Sequence, residues 1–62
     1  MKKYSIGYKD KYGSFNKVWE NGSTKKFENI EACKDFIKNL TPNTYKIMIG
    51  WKVIEEINKV SA

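Results

Sequence analysis

Arginine and histidine are absent from this 62-residue chain, cysteine and proline occur once each, and no apolar run exceeds the three residues Ile47-Met48-Ile49. Each absence excludes something. Without histidine there is no side chain whose ordinary pKa suits proton shuttling near neutral pH, and the commonest metal ligand is missing too. Without arginine there is no planar donor fork to read a guanine edge or clamp a pair of phosphate oxygens. A single cysteine cannot close a disulfide within the chain and fits a reducing, cytoplasmic setting. An apolar run of three residues falls far short of the roughly 20 that a membrane helix needs, and of a signal-peptide core. A membrane role is not expected.

The acids and glycines offer no chemistry in compensation. Glu55 and Glu56 are sequence neighbours and would point to opposite faces of a strand. Glu31 and Asp35 share a helix face but sit among Lys34 and Lys38, the arrangement of solvated surface charges. Cys33 lies on an apolar helical stripe, where a small buried thiol is expected and a reactive thiolate is not. No glycine-rich strand-to-helix turn is available to cradle a phosphate. The expectation is a chain that is not an enzyme, has no cofactor, metal or small-molecule substrate, and works by binding.

What the chain does carry is lysine and aromatics. Twelve lysines against seven acids give a formal net charge of +5. Residues 1–27 hold seven of those lysines against Asp10 and Glu20, and residues 28–62 hold five against five acids, so the whole excess lies in the N-terminal part. Six of the nine aromatics lie there as well. A chain this short buries only about 60% of the surface its unfolded form exposes, so one domain over residues 1–62 with a thin core is the expected organisation.

Periodicity divides the chain into elements. Tyr4, Ile6 and Tyr8 alternate with Ser5, Gly7 and Lys9, the pattern of a half-buried strand, and Asp10-Lys11-Tyr12-Gly13 reads as a turn. A second strand is expected over Ser14–Glu20. Asn21-Gly22 is a strong hairpin signal because both residues tolerate a positive φ, and Thr24–Phe27 can return as a third strand. Asn29 suits the N-cap of a helix running to Leu40, with Ile30, Cys33, Phe36, Ile37 and Leu40 on one face and Pro42 beyond its end. Tyr45, Ile47, Ile49, Trp51 and Val53 then share one face of a long strand reaching about Glu55, followed by a frayed or helical tail. The short likeness of Ile6-Gly7-Tyr8-Lys9 to Ile49-Gly50-Trp51-Lys52 suggests that two glycines on neighbouring strands could leave a bare spot on the sheet. The fold class is α+β: a small antiparallel or mixed sheet of three to four strands, in ββαβ or βββαβ order, with one helix on one face and the other face open.

Lysines draw phosphates without regard to sequence, and aromatic faces stack unpaired bases, so lysine interleaved with aromatics on an open sheet points to nucleic acid. The candidate binding residues are Lys9, Lys11 and Tyr12 at the first turn, Phe15, Lys17 and Trp19 on the second strand, and Lys25 and Lys26 after the Asn-Gly turn. With no arginine, backbone contact with weak sequence preference is expected. The hairpin followed by Phe27-Glu28-Asn29-Ile30-Glu31-Ala32-Cys33-Lys34-Asp35-Phe36 resembles the hairpin-then-helix pattern of the N-terminal arm-binding domains of phage and transposon tyrosine recombinases. That resemblance implies a sheet face entering a DNA groove through Lys9, Lys11, Lys17 and Trp19. Size, charge and richness in Lys, Asn and Ile also look like those of small proteins encoded by phages of AT-rich bacteria, anti-CRISPR proteins among them. Two alternatives follow: a protein-binding inhibitor of a host enzyme that handles nucleic acid, docking on an acidic surface, or a module that self-associates through a sheet edge, as monomer or homodimer.

Overall fold

The computed structural model of the chain describes residues 2–59. Its architecture is α+β, with the elements β1 (Tyr4–Lys9), β2 (Phe15–Lys17), β3 (Trp19–Glu20), β4 (Ser23–Thr24), α1 (Ile30–Ile37), β5 (Asn43–Ile49) and β6 (Lys52–Lys59). Four strands form an antiparallel sheet in the order β2-β1-β5-β6, and β3 and β4 make a separate two-stranded hairpin. The strand after the helix is thus two strands. Lys2 to Lys59 contain no helix long and apolar enough to cross a membrane.

The first turn is built by Asp10. Its carboxylate accepts from the backbone N–H groups of Tyr12 and Ser14 at 2.9 and 3.0 Å and from the Asn16 side-chain amide at 2.8 Å. A short acidic side chain caps a tight turn in this way because it supplies acceptors that the turning backbone lacks. The expected second strand Ser14–Glu20 is interrupted at Val18. Its N–H donates to the Ile6 carbonyl and its own carbonyl accepts from Lys25, while its side chain packs against the core. The chain thereby leaves the main sheet for the β3–β4 hairpin, whose turn residues Asn21 and Gly22 have φ of 53° and 82°. The expected third strand Thr24–Phe27 is likewise divided: Ser23–Thr24 pair with β3, and Phe27 bridges Tyr4 on the main sheet.

Asn29 caps α1, accepting from the Ala32 N–H at 2.8 Å. The helix ends at Ile37, three residues before the expected Leu40, because the last turn tightens. Asn39 and Leu40 donate three residues back, to Phe36 and Ile37. No glycine closes this end. Instead the ammonium of Lys59 on β6 donates to the carbonyls of Ile37, Lys38 and Leu40 at 3.0, 2.6 and 2.5 Å. Carbonyls left over at a helix terminus need such a donor, and a cation there also meets the favourable end of the helix dipole.

The largest departure is at Gly50-Trp51. The long strand Tyr45–Glu55 is a hairpin, with Ile49 opposite Lys52 across a two-residue loop. Gly50 has φ of 60° while Trp51 does not enter the left-handed region, the pattern of a type II′ turn, which demands glycine at its first central position. The chain then continues as strand to Lys59, so residues 54–59 are strand; the remainder of the expected tail lies outside the described residues. The reversal also redistributes faces. Glu55, Ile57 and Lys59 point toward the helix, and Val53, expected inward, lies opposite Met48 on the other face, with Ile54 at a bulge.

The helix covers one face of the sheet. Ile6, Tyr45 and Ile47 pack against Cys33, Ile37 and Phe27, with Tyr4, Tyr8, Val18, Ile30, Phe36, Leu40 and Ile57 around them. Cys33 is fully buried, and burial pushes its thiol up to about 11. An ion pair from Lys34 to Glu55 at 3.0 Å ties helix to β6, and that hydrogen bond raises the lysine pKa.

Candidate nucleic-acid interface

Directly opposed residues of antiparallel strands share a face, so the registers define what the helix leaves uncovered. That outer face carries Ser5, Gly7 and Lys9 of β1, Phe15 and Lys17 of β2, Thr44, Lys46 and Met48 of β5, and Val53, Glu56 and Asn58 of β6. Three lysines therefore meet one acid, Glu56, on the strands themselves.

The middle of this face is closed by its own side chains. Phe15 lies over Gly7: a Cβ at Gly7 would stand 2.3 Å from the Phe15 Cζ and 3.0 Å from the Met48 sulfur. The glycine therefore leaves no bare spot. It gives Phe15 a seat, and Gly50 belongs to a turn, so the two glycines are not equivalent. Met48 is buried, and so is Ser5, whose hydroxyl finds no hydrogen-bond partner among the described residues.

Around that centre the aromatics are open to solvent. Phe15 is 37% exposed, Trp19 68%, Trp51 78% and Tyr12 81%. Phe15 and Trp51 meet at 6.4 Å between ring centroids, tilted by 50°. The ammonium of Lys17 sits 4.2 Å from the centroid of Trp51 and donates to the Gly50 carbonyl at 2.6 Å, while that of Lys46 lies 5.9 Å from the Phe15 centroid. Partial burial and the charge of Lys26 lower the pKa of Lys17. Trp19, Lys26, Lys17 and Trp51 line a single open groove of about 700 Å³ along the junction of the main sheet and the β3–β4 hairpin.

The eight candidate residues fall into three places. Phe15, Lys17, Trp19 and Lys26 come together at this groove. Lys9, Lys11 and Tyr12 lie at the opposite end of β1, with the Lys11 ammonium 5.2 Å from the Tyr12 centroid. Lys25 is engaged elsewhere. It pairs with Glu20 at 2.5 Å, holding that carboxyl below its ordinary range, and lies over Phe27 and Phe36 on the helix side. Sequence reasoning placed Trp51 among the inward residues and passed over Lys46. The signal that finds both is the Gly-Trp turn, which reverses the strand and brings Trp51 beside Lys17.

The geometry defines a small α+β chain with one helix-covered sheet face and one open, lysine-bearing aromatic face. Comparison with protein-family models, curated proteins and solved structures finds no match for the chain. Among the described residues no cluster of three or more Cys, Asp or Glu could hold a metal ion.

Proposed function

We propose that the protein is a non-enzymatic nucleic-acid-binding module that docks its open sheet face on the phosphate backbone with weak sequence preference. The observation that carries this reading is the meeting of Lys17, Lys26 and Lys46 with Phe15, Trp19 and Trp51 around a groove that borders the sheet face α1 leaves uncovered. Lysines without arginine neutralise phosphates as point charges, and the exposed rings add contact area that does not depend on which base is present.

The test is fluorescence anisotropy with mixed-sequence oligonucleotides across a salt series. Neutralising three or four phosphates gives a slope of log K on log salt between about −2 and −4, so affinity should fall roughly 15- to 250-fold between 50 and 200 mM salt. Lys26→Glu should weaken binding and reduce the slope by about one. Absence of binding at 50 mM salt would refute the reading.

A second reading has its own support. β6 is an eight-residue edge strand with exposed Val53 and Ile54 beside its unpaired backbone groups, the kind of edge on which another chain can add a strand. In that reading the protein binds another protein, as an inhibitor of a nucleic-acid-handling enzyme or by self-association. A pure chain that ignores oligonucleotides and dimerises in sedimentation would favour self-association.

A further inference from the structure

Trp51 is held in a way that its neighbours' chemistry alone does not require. It occupies the second position of a two-residue turn, a place where side chains ordinarily project freely. Here its indole is fixed from one side: Lys17 donates to the carbonyl of Gly50 at 2.6 Å, and the same ammonium lies 4.2 Å from the indole centroid. Phe15 meets the ring at a tilt. With 78% of the residue still exposed, the indole keeps open surface away from the ammonium. Trp19 lines the groove that Trp51 borders, and Lys26 lies in it as well. A fixed aromatic plane beside ammonium groups is what an unpaired base and its phosphate require.

Resting on the proposed nucleic-acid reading, we infer that the specific ligand is single-stranded nucleic acid, with a base stacked on Trp51 and a neighbouring one reaching Trp19. Lys17 is a positioning residue that orients the indole. A duplex has its base faces already stacked within the helix and offers this surface only phosphates. Reading base edges in its grooves relies most often on the planar donor fork of arginine, which this chain lacks. The aromatic contribution is thus available to single strands and withheld from duplex, while the lysine contribution serves both.

The experiment compares the intact chain binding a labelled 15-nucleotide oligo-dT and a 15-base-pair duplex at the same salt, with quenching of tryptophan emission as a second readout. Single-strand binding should be at least tenfold tighter and should quench the emission. Trp51→Ala should lower single-strand affinity about tenfold and leave duplex affinity within twofold, with a melting temperature close to that of the native chain because the side chain is mostly exposed. Lys17→Met should lower single-strand affinity and reduce the quenching at saturation, a spectroscopic change that loss of one distant charge would not produce. Equal or tighter binding of duplex, with affinity for both falling alike in Trp51→Ala, would overturn this inference while leaving the general nucleic-acid reading standing. Failure of both oligonucleotides to bind would overturn both.

Discussion

Lys59→Met is the substitution that most sharply tests how this small sheet keeps its helix. The Lys59 ammonium donates to the carbonyls of Ile37, Lys38 and Leu40, two of the three contacts being partly buried. Hydrogen bonds to a charged group contribute about 1.5–3 kcal/mol each when shielded, but a solvent-facing acceptor regains water when its donor is removed. Counting the exposed contact as negligible and discounting the two partly buried ones by half gives a loss of about 1.5–3 kcal/mol. In a domain of this size each kilocalorie shifts melting by roughly 4–8 °C, so Lys59→Met should melt about 6–24 °C below the native chain. Lys38→Met is the control, because it removes a lysine charge near the same helix end. Its only ion pair among the described residues, with Asp35 at 3.6 Å, is well exposed and such pairs contribute under about 1 kcal/mol. Thermal unfolding followed by circular dichroism decides the matter. If the two variants melt within 2 °C of each other, the helix terminus is not held by Lys59 and the account of how β6 anchors α1 is wrong.

Three further outcomes follow from single positions. Cys33 is fully buried with its thiol pushed up to about 11, so a thiol reagent should modify the native chain only at the rate of unfolding, and rapid native labelling would contradict its place in the core. Ser5→Ala removes a buried hydroxyl that has no partner among the described residues. Because an unsatisfied buried group costs about 1–3 kcal/mol, the variant should be as stable as the native chain or slightly more so, and a loss above about 1 kcal/mol in urea unfolding would reveal a partner. Gly7→Ala places a methyl where Phe15 Cζ now lies, and on an open face the ring can swing outward. The lost Phe15 packing, about 1–2 kcal/mol, is set against about 0.5–1 kcal/mol gained by replacing glycine in a strand, so the net loss should stay under about 1.5 kcal/mol; a loss above about 3 kcal/mol would show that the ring is confined.

Much of this fold was legible because certain residues admit few alternatives. Asn29 followed by an apolar stripe at helical spacing specifies the start and inward face of α1, and Asn21-Gly22 specifies a turn that few other dipeptides could make. The alternation of Tyr4, Ile6 and Tyr8 specified which side of β1 meets the helix. What escaped was context. Gly50-Trp51 lies inside an alternating pattern, and continuing that pattern across it assigns Trp51 and Val53 to the wrong side. Lys59 donates to the end of a helix 19 to 22 residues earlier, a pairing that exists only once the second hairpin has formed. The candidate site shows the same division. Phe15, Lys17, Trp19 and Lys26 line one groove, whereas Lys25, grouped with Lys26 by its place after the Asn-Gly turn, is withdrawn by Glu20 and the Phe27 and Phe36 rings. Trp51 and Lys46 join the surface through long-range strand pairing that no local window contains.

The most direct test of the central claim is a nitrogen–proton correlation spectrum of the labelled protein titrated with a short single-stranded oligonucleotide. The account predicts that the amides of Phe15, Lys17, Lys46 and Gly50, together with both indole N–H signals, move as ligand is added, while Glu31, Asp35 and Lys38 on the helix stay in place. Movement centred on the helix, or a spectrum unchanged at saturating oligonucleotide and low salt, would contradict it.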